Sequence, residues 1–140
     1  MRLNDGAREP NMKRRFDHLD LRVRDLAEVR HFYETLLPAL GFLQRVQVDG
    51  WLQFEAPGSD GATEFFGVTE SRCHVANECR IAFWADSPDE VDRLAKLIGE
   101  AGARQVEGPS YSEGPGYYAV FFEDPSGNRL EICHRVEGAR

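Results

Sequence analysis

The chain has 140 residues, enough for one domain with a real core, and its 41% hydrophobic content is ordinary for a globular protein. A net charge of −7 excludes nucleic acid as the expected partner, because binding a polyanion needs a basic surface. No apolar run approaches bilayer-spanning length and no apolar signal segment opens the chain, so a soluble, cytoplasmic protein with no membrane partner is expected.

Residues 1–15 carry five basic and two acidic side chains without apolar periodicity, and read as a flexible leader. From Phe16 to Val23 the chain alternates: Leu19, Leu21 and Val23 on one side, His18, Asp20 and Arg22 on the other, as in a half-buried strand. Asp25 is placed to cap a helix, with Glu28 three residues on to complete a capping box. Leu26, Val29, Phe32, Tyr33, Leu36, Leu37 and Leu40 then recur at helical spacing until Gly41. Three extended stretches follow at 42–48, 51–55 and 63–68, separated by Asp49-Gly50 and the cluster Pro57-Gly58-Ser59-Asp60-Gly61. A second strand of alternating character begins at Arg80, with Ile81, Phe83 and Ala85 opposed to Arg80, Ala82 and Trp84. Ser87 caps the next helix, Pro88 takes its first position and Glu90 closes the box; Val91, Leu94, Ala95, Leu97, Ile98 and Ala101 form its stripe and Gly102 ends it. Strands are expected again at 104–107, 117–123 and 129–134, with Asp124-Pro125-Ser126-Gly127-Asn128 as a hairpin turn. Cys73, Cys79 and Cys133 are odd in number and in no metal-knuckle spacing, hence reduced thiols.

These elements say the same thing twice. The segment from His18 matches the segment from Arg80 without a gap, with Glu-Val at the same place in both (Glu28-Val29 and Glu90-Val91). Phe54-Glu55-Ala56-Pro57 matches Phe122-Glu123-Asp124-Pro125, and Thr63-Glu64-Phe65-Phe66 matches Leu130-Glu131-Ile132-Cys133 once a residue is inserted in the turn. The fold class is therefore α+β: two βαβββ units, about 16–72 and 78–136, within one domain over 16–136. Helices must cover the apolar faces, so the polar faces of two paired curved sheets are expected to form an open barrel around a pocket. That face holds His18, Asp20, Arg22, Arg80, Ala82 and Trp84, and by the same parity Glu64 with Phe66 and Glu131 with Cys133.

With those residues placed, the chain resembles the vicinal oxygen chelate superfamily of glyoxalase I, bleomycin-resistance proteins and extradiol dioxygenases. Three stretches carry the resemblance: Phe16 through Leu26 with Phe32-Tyr33 and Leu40-Gly41-Phe42; Arg80-Ile81-Ala82-Phe83; and Phe121 through Ile132. Metal-using members place histidine or glutamate ligands on four strands, which carries over to His18, Glu64, Arg80 and Glu131. His18, Glu64 and Glu131 would suit Zn²⁺, Ni²⁺, Mn²⁺ or Fe²⁺. Arg80 departs from the pattern, because guanidinium stays protonated and has no lone pair to donate. Two alternatives stay open: Arg80 fills the cation site by pairing with Glu64 or Glu131, or it tilts away to grip an anionic substrate.

The resemblance implies a protein that binds a small molecule in the sheet cavity. One form is a metal-dependent lyase, isomerase or dioxygenase in which Glu131 or Glu64 moves a proton. The other is a metal-free binding or sequestering protein of the bleomycin-resistance type, with Arg80 and Trp84 engaging an anionic or aromatic ligand. Phe66 and Tyr118 are added as ligand contacts, Phe66 by stacking and Tyr118 as a phenol donor at the pocket rim, although aromatics equally serve packing. Family habit also implies a homodimer, in some members with units exchanged between chains.

Overall fold

A computed structural model of the chain describes residues 15–58 and 63–136. The leader expected over 1–15, Arg15 apart, and residues 59–62 of the first turn cluster lie outside them. The order is β1 (His18–Val23), α1 (Leu26–Ala39), β2 (Gln44–Val48), β3 (Trp51–Pro57), β4 (Thr63–Glu70), β5 (Arg80–Trp84), α2 (Pro88–Glu100), β6 (Arg104–Tyr111), β7 (Tyr117–Glu123) and β8 (Arg129–Arg135). Both βαβββ units are present. The first makes a sheet of order β1-β4-β3-β2, the second a sheet of order β5-β8-β7-β6. In each, the opening strand lies parallel to the last strand and the remaining pairs are antiparallel.

Local chemistry explains the element ends. The Asp25 side chain accepts from the Ala27 N–H at 3.0 Å. The expected capping box is not closed by Glu28, whose carboxylate pairs with Arg24 at 3.4 Å. Glu70, at the end of β4, takes the Leu26 N–H instead at 3.0 Å. On α2, Ser87 Oγ accepts from the Glu90 N–H at 3.1 Å, while Glu90 reaches back to the Asp86 N–H at 2.8 Å. Asp49-Gly50 makes the tight β2–β3 turn, with Val48 paired to Trp51 and Gly50 at φ 70°.

The two units share one core. α1 buries Leu26, Val29, Phe32, Tyr33, Leu36 and Leu37, and α2 buries Val91, Leu94 and Ile98. Each such large side chain stabilises the fold by about 1.5–3 kcal/mol through apolar area removed from water. The helices touch each other, and aromatic contacts cross between units: Phe66 to Phe83 with centroids 5.6 Å apart, Phe32 to Phe122 at 6.2 Å. The two curved sheets are not closed on each other, in keeping with the open arrangement expected. Among the described residues, no helix is long and apolar enough to cross a membrane.

One buried polar node also joins the units. Asp124, in the β7–β8 turn, is fully buried and accepts from the Tyr33 hydroxyl at 2.5 Å, from the Ser126 and Asn128 N–H groups at 2.8 and 2.9 Å, and from Asn128 Nδ2 at 3.0 Å. Asn128 Nδ2 also donates to the Arg22 carbonyl at 2.9 Å, and Asn128 Oδ1 lies 3.0 Å from His74 Nε2.

Candidate functional site

Strand register decides which side chains share the polar faces. In the second sheet, Ala82 pairs with Glu131, Trp84 with Cys133 and Arg80 with Arg129, while Phe121 pairs with Glu131 and Glu123 with Arg129. Leu130, Ile132, Val120 and Phe122 are buried in the core. The opposite face therefore carries Arg80, Ala82 and Trp84, then Arg129, Glu131, Cys133 and Arg135, then Tyr117, Ala119, Phe121 and Glu123. Arg80, Trp84, Glu131 and Cys133 sit where the sequence parity put them.

Glu131 is the chemical centre of this face. It is only 5% exposed, and the Tyr117 hydroxyl donates to it. Burial raises its carboxyl above the ordinary carboxylate value, offset in part by the Cys133 thiol and by the guanidinium charges of Arg80 and Arg135. Burial, then the neighbouring carboxylate, pushes the Cys133 thiol up as well, which favours its protonated form. The Arg80 guanidinium lies 4.9 Å over the Phe121 ring, and that of Arg135 lies 4.5 Å over Tyr117. Neither Arg80 nor Arg129 has a carboxylate within 4.0 Å among the described residues. The expected pairing of Arg80 with Glu64 or Glu131 is not formed. Beside Arg80 opens a polar cavity of about 290 Å³, reaching Gln105, Glu107, Glu123 and Arg129.

The first sheet is built differently. His18 stacks on Phe65, with centroids 4.3 Å apart and planes within 4°, and its Nδ1 lies 2.7 Å from Asp17 Oδ2. Asp20 accepts from Arg22 and from the Thr69 hydroxyl, both at 2.9 Å. His18 pairs in register with Phe65, so Phe65, Gly67 and Thr69 share its face.

Three expected placements differ in detail. Phe66 is 1% exposed and packs against Tyr33, Phe42 and Phe83 in the core, and with His18, Glu64, Phe65 and Ala82 it borders a smaller cavity of about 110 Å³. Glu64 has the parity of Phe66, not of His18, because the repeat alignment displaced β4 by three positions, an odd slip, yet Glu64 and His18 border the same small cavity. Its place in the repeat also changes: Asp20, the match of Ala82, pairs with Gly67, so the structural counterpart of Glu131 is Gly67. Tyr118 lies on the helix side and donates to Asp92 of α2 at 2.6 Å; its neighbour Tyr117 is the phenol on the open face. The sequence reading missed Gln105, Glu107, Phe121, Glu123 and Arg129. Parity along the two closing strands, counted from Glu131, was a sufficient signal for Phe121, Glu123 and Arg129.

The fold and its open faces define a class of protein: a duplicated βαβββ domain with polar and charged side chains on the open face of each sheet. The sequence profile of the Glyoxalase/Bleomycin resistance protein/Dioxygenase superfamily matches residues 15–132, and the chain belongs to that superfamily. It is 26% identical over 122 residues to the uncharacterized protein YqjT of Bacillus subtilis (strain 168), spanning 82% of this chain and 94% of that one. Among solved structures it is similar to a glyoxalase/bleomycin resistance protein from Albidiferax ferrireducens T118, with a TM-score of 0.69 and 25% identity over 86% of this chain and 98% of the other. It also shares its fold with the fosfomycin resistance protein FosX from Listeria monocytogenes, solved with Mn(II) and sulfate, with a TM-score of 0.66 and 16% identity over 89% and 93% of the two chains.

A divalent metal is the group this family implies. The donors here do not fit it. Among the described residues no three His, Cys, Asp or Glu side chains gather into a set that could hold a metal ion. His18 and Glu64 border one small cavity but belong to no such three-donor set among the described residues, and Arg80 brings a positive charge and no lone pair.

Proposed function

We propose that this chain is a small-molecule-binding member of the superfamily that works without a resident divalent metal, its ligand held on the polar face of the second sheet. The carrying observation is Arg80: a guanidinium with no carboxylate within 4.0 Å among the described residues, stacked on Phe121 beside a buried carboxylate, at the position where metal-using members supply a ligand. A planar cation with five donors suits an anionic group on the ligand. Trp84, 57% exposed on the same face, supplies an apolar edge. A homodimer belongs to this reading. His18 and Glu131 lie on the polar faces of different sheets, and a second copy setting one face against the other would bring both to one ligand.

Elemental analysis of protein purified without chelator tests the reading. Wild type is expected to carry well under one equivalent of Zn, Ni, Mn or Fe and to take up none on dialysis, whereas Arg80→His gains affinity for added Mn²⁺ or Zn²⁺. Stoichiometric metal in the wild type would overturn it. Light scattering checks the dimer.

One observation favours a second reading, catalysis. Glu131 is a buried carboxylate with raised proton affinity, next to a cation that would carry developing negative charge. That arrangement supports proton transfer of the lyase or isomerase kind. Loss of a turnover in Glu131→Gln with ligand binding intact would distinguish it from plain sequestration.

A further inference from the structure

The cavity beside Arg80 has a charge pattern that narrows the ligand class, an inference that rests on the reading above. Its lining holds two guanidiniums, Arg80 and Arg129, and two carboxylates, Glu107 and Glu123, around about 290 Å³. None of the four lies within 4.0 Å of an opposite charge among the described residues. Elsewhere on this surface neighbouring opposite charges do close up: Arg22 to Asp20 at 2.9 Å, Arg45 to Glu34 at 2.7 Å. Arg129 and Glu123 face each other directly across β8 and β7, a placement from which cross-strand pairs ordinarily form. Here they stand apart around open space.

The backbone of β6 is bent to complete this lining. Its register to β7 shifts between Arg104 and Glu107 and again between Glu107 and Ser110, and Gln105 sits at φ 50°, a left-handed conformation costly for a residue with a Cβ. Both irregularities fall on the stretch that brings Gln105 and Glu107 to the cavity. Strain of this kind persists where the surroundings demand it, and it is concentrated at ligand sites.

We propose that the cavity binds a small zwitterion, a molecule with a carboxylate at one end and a protonated amine at the other. Arg80 and Arg129 take the carboxylate; Glu107 and Glu123 take the ammonium group; Gln105 can serve either end through its amide; Phe121 is the apolar floor. A simple anion is disfavoured because two carboxylates line the same space, and a simple cation because two guanidiniums do. Only a ligand with both charges leaves none of the four without a counter-charge.

Isothermal titration calorimetry on the full chain tests this with 4-aminobutyrate and 6-aminohexanoate, and with butyrate and n-butylammonium as their single-charge counterparts. At least one ω-amino acid is expected to bind about tenfold or more tighter than either counterpart. Arg80→Gln and Glu107→Gln are each expected to weaken it by about tenfold. Both side chains are exposed, so the variants keep the fold, and circular dichroism confirms it. Butyrate binding as tightly as 4-aminobutyrate, or Glu107→Gln leaving affinity unchanged, would overturn the zwitterion assignment while leaving Arg80 as an anion anchor. Absence of binding by all four probes at millimolar concentration would overturn it too. Failure of the metal-free reading shows separately, as metal in the purified protein.

Discussion

Tyr33→Phe should reveal how strongly the two units are held together. Tyr33 is completely buried on α1, and its hydroxyl donates at 2.5 Å to Asp124, itself completely buried in the other unit. Phenylalanine keeps the ring and its packing against Phe32 and Phe66, so almost no cavity forms. Asp124 retains three N–H donors, from Ser126 and twice from Asn128, so it is not orphaned. The loss is then one hydrogen bond to a carboxylate, about 1.5–3 kcal/mol, or roughly 5–10 °C in Tm for a domain of this size. Asp124→Ala should cost more, about 4 kcal/mol, because it strands buried donors. In that background Tyr33→Phe should be nearly neutral, since it removes a hydroxyl with no acceptor, so the cycle closes with a coupling of about 2 kcal/mol.

Alkaline pH offers an independent reading of the same bond. Burial, and then the Asp124 charge and hydrogen bond, hold the Tyr33 phenol well above its ordinary value of 10.0. The folded state keeps this proton where the unfolded state releases it. The stabilisation is thus complete below pH 10 and is lost as pH rises through the folded value, and Tyr33→Phe should lack that component of the slope. Urea unfolding followed by the fluorescence of Trp51 and Trp84 measures both effects. Additive single and double variants, or an alkaline slope unchanged by Tyr33→Phe, would refute the reasoning.

Glu131→Gln should be more stable than wild type at pH 7. Burial raises the Glu131 carboxyl above 4.5, so its favourable contribution is present below that pH and is lost as pH rises through the folded value; the advantage of glutamine should shrink in melts taken below pH 4.5. Gly108→Ala should destabilise by about 2–4 kcal/mol, because φ is 90° and a Cβ would stand 2.8 Å from the Ala119 carbonyl oxygen and 3.0 Å from the Ser110 nitrogen, backbone atoms that cannot yield; urea unfolding at wild-type stability would contradict this. Ser87→Ala should cost about 1 kcal/mol through the lost cap of α2, read in the same assay.

Features written in short-range chemistry were legible in the sequence. The caps at Asp25 and Ser87, the helical stripes and the stops at Gly41 and Gly102 require only a few neighbouring residues, and the helices begin and end within a residue or two of expectation. The polar faces of β1, β5 and β8 followed from alternation checked against obligate core residues. The face of β4 did not, because it was carried over from a repeat alignment that slipped by three positions there, and in a strand any odd slip exchanges inside for outside. Strand β6 was hidden beyond Glu107, since two register shifts and a left-handed Gln105 break the alternation on which a sequence reading depends. The docking of the units was hidden for another reason. Asp124-Pro125-Ser126-Gly127-Asn128 has the composition of a solvent-facing turn, yet Asp124 is buried because Tyr33, 91 positions away, supplies a donor.

Those exceptions show how the two halves have divided their work. The repeated frame, strand, capped helix and three strands, is kept in both units, whereas the side chains on the open faces are not. Where the second unit has buried Glu131, the first has Gly67, with Trp51 Nε1 filling the space a Cβ would approach to within 3.5 Å. Where the second has Arg80 over the Phe121 ring, the first has His18 stacked on Phe65. Where the second has Asp124, the anchor between units, the first has Ala56. The halves therefore differ at both of these corresponding places, Gly67 against Glu131 and His18 against Arg80. The second unit has instead gathered charge of both signs and an aromatic floor on a single sheet. The frame has thus stayed common to both halves while the chemistry carried on it has diverged.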